Sequence, residues 1–442
     1  MTYNQNKSIL MCAFNIFFLV LANLVLAEAK TVHSYLLIES ASEKHFYEEG
    51  KTLKLTLVPS TYLIGNWRGE FSIKSGIEIP FNFIIREEGA ILKAFLVNGE
   101  ERFPTGDIRI EQDSVIIPFP LFENELAFKL VDGQLKGELR RQDLKGSATP
   151  VIAKKGMIHR FNEASSSPVT DISGTYDVVF QNNSGKEEKA VGVFKQANGI
   201  VTATFLRITG DSRFLEGIIE DNVIRLSSFI GSSPSMYIGK VDLNGIIQGE
   251  NISARSTTTF IAKRNADATL PDAYSLTRLK EGSDRLVFNF KDSEGKIIGS
   301  NDYKFKDKPY IIAIGGTWCP NCMDEAAFLG KWYKENRNRG IEIVGIQFER
   351  QEDSAYVKKV FNRFRKYYGI EYSLLLGGLA DKQAVVEALP QLENFISFPT
   401  TVFVDKHGKV KKIHTGFSGP ATGKHYTKFI NDFNAEVDEL LK

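Results

Sequence analysis

The chain has 442 residues, enough for two to four domains that each bury a core of their own. Hydrophobic residues make up 43% and charged residues 25%, which excludes wholesale disorder. Its 55 basic and 54 acidic residues leave a formal charge of +1, so no global field draws it to acidic lipid, and no nucleic-acid partner is expected.

The first residues read as an export signal. Lys7 supplies the charged end, residues 9–26 are almost wholly apolar, and Ala27-Glu28-Ala29 offers small residues where a signal peptidase needs them. Cleavage after Ala29 is expected, leaving an exported, soluble protein of the periplasm or cell envelope. The alternative is an uncleaved membrane anchor, because the run is about the minimum length to span a bilayer, although Asn15 and Asn23 interrupt it. Cys12 lies inside this segment, so the mature chain keeps only Cys319 and Cys322. An exported protein with one closely spaced pair and no other cysteine uses that pair for chemistry.

Residues 35–264 read as β structure. Alternating runs at 81–85, 91–97 and 200–206 are separated by Asn98-Gly99, Asp132-Gly133, Asn198-Gly199 and Asn244-Gly245, pairs that favour the positive φ angles of tight hairpins. The region repeats itself after about 110 residues. Gly65-Asn66-Trp67 returns as Gly174-Thr175-Tyr176, with the aromatic in step. Gly89-Ala90-Ile91 returns as Gly199-Ile200-Val201, and Asp132-Gly133-Gln134 as Asn244-Gly245-Ile246. Each copy has enough short strands for a small antiparallel barrel or sandwich. Trp67 and Tyr176 read as core aromatics rather than ligand contacts. The copies are placed at 30–160 and 170–264, with linkers at 162–168 and 265–271. Beyond them, strands alternate with helices, the pattern of a parallel or mixed sheet.

Residues 309–315 form a continuous apolar run suited to a buried strand, followed at once by Thr317-Trp318-Cys319-Pro320-Asn321-Cys322. Cys322, Ala326, Leu329 and Tyr333 then recur at helical spacing, and Gly340 marks the stop. The cysteines thus sit where a strand hands over to a helix, and Pro320 occupies a first-turn position it tolerates. A thiol attacks as thiolate, and the free N–H groups and positive dipole end of a helix stabilise that anion. Cys319 is therefore read as the attacking thiol and Cys322 as the one that resolves the mixed disulfide. Half of a zinc site is the bland alternative, but there is no second pair, and His407, His414 and His425 are scattered, so no metal is expected. A structural disulfide across so short a loop would constrain little chain. The peroxiredoxin pattern of proline, three residues, threonine, two residues and cysteine is absent.

From about residue 287 onward the chain resembles the TlpA/ResA-like exported thioredoxin-fold thiol–disulfide oxidoreductases. The matching pieces are Asp292-Ser293-Glu294-Gly295-Lys296, Trp318-Cys319-Pro320-Asn321-Cys322, Val344-Gly345-Ile346 and Phe398-Pro399-Thr400-Thr401, with Gly408-Lys409 after them. The resemblance implies that 272–442 is an α/β thioredoxin-like domain; it does not reach the all-β region of two repeats that precedes it, so the chain as a whole reads as multidomain. It implies that Pro399 is a cis-proline facing the cysteines and that Trp318, Phe398 and Pro399 contact substrate; an ordinary trans loop proline is the alternative. It also implies that Glu325 lies under the pair and exchanges protons with Cys322, against a plain solvated charge early in the helix. Two departures stand out. Asn321 replaces the proline most of the family has before the second cysteine, and Gly315-Gly316 replaces an aromatic-Ala pair. Asn321 keeps its N–H and adds an amide, which as extra donors to the Cys319 sulfur would move the potential roughly 20 to 45 mV towards the oxidising side.

The expected function is an exported enzyme that, as the resemblance implies, reduces disulfides of other exported proteins and is recharged by a membrane thiol-reducing donor. Its redox group is the Cys319–Cys322 disulfide itself, with no cofactor. The alternatives are a disulfide-forming oxidant, or a binding protein whose β repeats capture a ligand beside an accessory redox domain.

Overall fold

The structure, a computed structural model, describes residues 38–40, 43–48, 51–56, 60–73, 76–161, 170–254 and 256–442. The export segment with Cys12 and Ala29, and the 162–168 linker, lie outside the described residues. Ile38–Ser40, Glu43–Glu48 and Lys51–Thr56 pair antiparallel as a small sheet of their own. Everything described below, Ser114 apart, belongs to one further compact unit, Leu63–Arg109 with Val115–Lys442.

The first repeat consists of β1 (Gly65–Ser72), β2 (Glu78–Glu88), β3 (Ile91–Asn98), β4 (Glu101–Asp107), β5 (Ser114–Phe119), β6 (Asn124–Val131), β7 (Gln134–Arg141) and β8 (Thr149–Lys155). They lie in the order β4-β3-β2-β1-β8-β7-β6-β5. The second consists of β9 (Gly174–Gln181), β10 (Glu187–Ala197), β11 (Ile200–Arg207), β12 (Gly210–Asp211), β13 (Leu215–Glu220), β14 (Val223–Ser228), β15 (Ser235–Val241), β16 (Ile247–Ser253) and β17 (Thr257–Arg264). Their order is β10-β9-β17-β16-β15-β14-β13-β11, and β11 pairs back onto β10, which closes a barrel and removes its edges. Gly65 and Gly174, Glu78 and Glu187, and Ile91 and Ile200 open matched strands at a constant offset of 109 residues.

In β3 alternation sends every second side chain into the core, with buried positions alternating with exposed or half-buried ones without a break. Trp67 and Tyr176 fill matching core positions at 0% and 1% exposure. Each satisfies its polar atom four residues back: Trp67 Nε1–H donates to Leu63 O at 2.8 Å and Tyr176 O–H to Ile172 O at 3.0 Å. Both are core residues, as their spacing suggested.

Two of the four expected hairpin turns form as expected. Asp132-Gly133 and Asn198-Gly199 take φ of 52° and 72°, and 52° and 77°, between directly paired strand ends. The other two differ. Asn98 ends β3 opposite Glu101, so the turn is Gly99-Glu100, one residue later. Asn244 lies in a longer loop from Asp242 to Ile246, where the Asp242 carboxylate accepts from the N–H groups of Asn244 and Ile246 at 2.8 and 2.9 Å. The 265–271 segment is not a free tether either. Ala268 is buried against Val191 and Leu206, with Leu270 packed beside them.

The C-terminal part is a thioredoxin-like α/β domain. It contains β18 (Asn289–Asp292), β19 (Ile297–Gly299), β20 (Tyr310–Gly315), α1 (Pro320–Asn336), β21 (Glu342–Glu349), α2 (Ser354–Tyr368), β22 (Ser373–Leu379), α3 (Lys382–Ala388), β23 (Thr400–Val404), β24 (Val410–Thr415) and α4 (Lys424–Leu440). The sheet order is β19-β18-β22-β21-β20-β23-β24, with β20, β21 and β22 parallel and β23 antiparallel to β20. Every residue of β20 is buried, which is why its sequence is continuously apolar rather than alternating. α1 ends in a short 3₁₀ turn that Gly340 terminates at φ 86°.

The three parts pack together. Phe229 of the second repeat lies among Phe71, Phe81 and Phe119 of the first, with ring centroids 4.7, 5.0 and 5.3 Å away. Arg160, 3% exposed, donates to Ser227 O at 2.9 Å and to Asn98 Oδ1 at 3.3 Å. The first repeat reaches the α/β domain where Tyr367 O–H donates to Pro104 O at 2.7 Å and Tyr356 O–H to Glu123 Oε2 at 3.2 Å.

Candidate active site

The handover from β20 to α1 places both cysteines. Cys319 is the N-cap of α1, with φ −91° and ψ 120°, and Pro320 fills the first helical position, where a missing N–H costs nothing. The Cys322 N–H donates to the Cys319 sulfur at 3.3 Å, so the helix aims one of its unpaired donors at that atom. Both cysteines are free thiols, 7% and 4% exposed.

The Phe398–Pro399 peptide is cis, and the Phe398 carbonyl lies 3.9 Å from the Cys319 sulfur. Trp318 meets Phe398 edge-on, centroids 5.9 Å apart, and its Nε1–H donates to Phe348 O at 2.9 Å. That indole position explains one departure from the family pattern. A Cβ on Gly316 would lie 2.5 Å from Trp318 Nε1 and 2.8 Å from Phe348 O, so only glycine fits.

Glu325 is 4% exposed on the inner face of α1, so it is not a solvated surface charge. Thr401 Oγ1–H donates to its Oε1 at 2.5 Å. Burial pushes its carboxyl up to about 7, and the Thr401 bond offsets only part of that. The Cys322 thiol is held well above the ordinary range, chiefly by burial, then by its hydrogen bond to Cys319, with the charges of Cys319 and Glu325 adding to it. The buried pair thus has a buried carboxyl whose charge acts on Cys322.

Sequence reasoning missed a second buried acid. Glu349, 0% exposed at the end of β21, accepts from Thr317 N–H and Thr317 Oγ1–H at 2.9 Å each, and burial pushes it up to about 7. It braces the residue two positions before Cys319. A charged residue three positions after the apolar 343–346 run ends was the available signal. Gln347, beside it, keeps a buried Oε1 with no hydrogen-bond partner.

Asn321 is placed otherwise than expected. Its amide turns away from the Cys319 sulfur, and Asp211 N–H donates to Asn321 Oδ1 at 3.4 Å. The donor on the sulfur is the Cys322 N–H, which a proline at 321 would leave intact. The side-chain part of the expected gain in potential therefore falls away.

Known proteins resemble the part of the chain that carries this site. The AhpC/TSA family model matches residues 283–413, a span that holds both cysteines, Glu325 and Pro399 and none of the β repeats. Thiol-disulfide oxidoreductase ResA of Bacillus subtilis (strain 168) is 31% identical over 138 residues, covering 31% of this chain and 69% of that protein. The chain belongs to the ResA family of thiol-disulfide oxidoreductases. ResA of Halalkalibacterium halodurans is 27% identical over 166 residues, covering 37% of this chain and 81% of its own. Among solved structures, a thioredoxin-family thiol:disulfide interchange protein of Chlorobium tepidum is 23% identical with a TM-score of 0.28, covering 37% of this chain and 98% of that one. A thiol-disulfide oxidoreductase from Bacteroides fragilis is 16% identical with a TM-score of 0.25, covering 33% of this chain and 99% of that one. The ResA-type part of this enzyme is thus about a third of the chain.

Proposed function

We propose that this protein is an exported reductase of protein disulfides, with Cys319 as nucleophile, Cys322 as resolving thiol and Glu325 as the proton acceptor for Cys322. The observation that carries the reading is the Cys322 N–H on the Cys319 sulfur above a buried carboxyl near neutral pKa. The Cys319 thiolate attacks one sulfur of a substrate disulfide, forming a mixed disulfide and releasing a substrate thiolate that takes a proton. Cys322 passes its proton to Glu325 and attacks the Cys319 sulfur, expelling the second substrate thiolate and leaving the Cys319–Cys322 disulfide. A membrane thiol-reducing donor then returns two electrons and two protons. Trp318, Phe398 and Pro399 contact the substrate strand beside Cys319.

Turnover of insulin disulfides by the full chain tests the activity. Cys319→Ser is expected to drop it to background, and Cys322→Ser to accumulate mixed disulfides on Cys319. Equilibration against glutathione tests direction, since a potential near −120 mV would mark an oxidant instead. Glu325→Gln should slow resolution and remove the limb of the pH–rate profile centred near 7; an unchanged profile would end the proton-acceptor assignment. Stability gives an independent check. A carboxyl raised from 4.5 to about 7 binds more protons folded than unfolded, so wild-type stability falls as pH rises across that window. Glu325→Gln should flatten the fall, by an order-of-magnitude figure of ~3 kcal/mol.

A further inference from the structure

The second repeat touches the redox motif through one irregular segment. β12 and β13 both pair with β11, and Ser212, Arg213 and Phe214 interrupt them. Arg213 has φ of 57°, a left-handed conformation that a long side chain holds only when its surroundings over-determine it. Its guanidinium is buried and forked. One nitrogen pairs with Glu101 Oε1 of the first repeat at 2.6 Å, and the other pairs with Asp324 Oδ2 at 2.5 Å and donates to Pro320 O at 3.2 Å. Pro320 is the first residue of α1, and Asp324 lies one turn on.

The neighbouring residues tighten the same contact. Asp211 accepts from Arg213 N–H and from Gly419 N–H, each at 2.6 Å, and its own N–H donates to Asn321. Gly210, at φ 137°, lies flush against Asn321: a Cβ there would be 2.0 Å from Asn321 Nδ2. The β repeats therefore touch both residues between the cysteines. The ionisable groups around the guanidinium are Asp324, Glu101 and Asp211, with Tyr367 and Tyr368 of α2 also facing it.

We propose that Arg213 is a positioning residue of the redox site: by gripping Pro320 and Asp324 it fixes the first turn of α1, and with it the N–H that serves the Cys319 thiolate. A planar fork anchored on two carboxylates holds geometry in a way a single flexible charge does not. Fraying of that turn would withdraw the Cys322 N–H from the sulfur and weaken the anion. This rests on Cys319 being the nucleophile, as proposed above, but not on the identity of any substrate.

The test uses the full chain and reads Cys319 directly, by its iodoacetamide alkylation rate against pH and by equilibration with glutathione. Arg213→Met is expected to alkylate about tenfold more slowly at pH 7, with the midpoint moved to higher pH. Its equilibrium should shift about tenfold towards the disulfide, which is about 30 mV downward for a two-electron couple. Arg213→Lys, which keeps the charge but not the fork, should recover part of both. Should Arg213→Met fail to fold, Asp324→Asn decides. It removes the charged anchor of the fork on α1, so both readouts should move in the same direction as in Arg213→Met, by a smaller factor. Folded variants with a lowered melting temperature but wild-type alkylation and potential would overturn the proposal and leave Arg213 a purely structural residue. Wild-type protein that alkylates at Cys319 but turns over no insulin would count against the reductase reading alone, because the Arg213 readouts need no substrate.

Discussion

The two β repeats share a strand plan and differ in one stretch. Trp67 and Tyr176, at matching positions, each plug a core and donate back to a carbonyl four residues earlier. Pro104 and Arg213 also match, as do Glu101 and Gly210. In the first repeat β4 runs from Glu101 to Asp107 as one bulged strand; Phe103 packs against Tyr367, whose O–H donates to Pro104 O, and Glu101 pairs with Arg213. In the second the same stretch is split into β12 and β13, and the break delivers Gly210, Asp211 and Arg213 to Asn321, Pro320 and Asp324. A repeat keeps what its core demands, while a break between two strands, with fewer pairing obligations, is free to acquire a contact.

If the cores are equivalent, Trp67→Ala and Tyr176→Ala should each cost about 3–5 kcal/mol, measured by denaturant unfolding. A difference of more than a few kcal/mol between them would break the equivalence. Smaller effects should separate the two stretches. Gly210→Ala forces a side chain into the left-handed region and against Asn321, an expected loss of about 2 kcal/mol together with altered Cys319 alkylation. Pro104→Ala keeps the carbonyl that Tyr367 uses, so it should stay within about 1 kcal/mol and leave alkylation untouched. Equal redox effects from the two would mean that both stretches reach the site. Asn321→Ala should cost least, about 1 kcal/mol for the bond to Asp211. Its potential should hardly move, because the Cys322 N–H still faces the sulfur; a shift near 45 mV would restore the Asn321 amide as a donor.

Much of the fold was legible because local rules carried it. Period-two alternation, two Asx-Gly turns with both residues at positive φ and a wholly apolar β20 each follow from short-range chemistry. The turn at Asn98 was misread because strand pairing extends one residue past the dipeptide. That at Asn244 was misread because the Asp242 carboxylate organises a longer loop. Glu349 and Arg213 escaped for a different reason: a lone charge between strands carries no spacing, so its partners, at Thr317 and at Glu101 and Asp324, are known only once the chain has folded.

By itself the sequence determined the placement of Cys319 and Cys322 at a strand-to-helix handover, since an apolar run, a Cys-Pro-x-Cys and a 3.6-residue period are all local facts. It likewise determined the doubling of the β region, because a repeat is a comparison of the chain with itself. Tertiary structure alone decided that Glu325 is buried and its carboxyl raised to about 7, since desolvation depends on everything that packs around a group. It alone decided that a broken strand of the second repeat lies against the redox motif, because residues 210–213 and 320–324 meet only through the packing of whole domains.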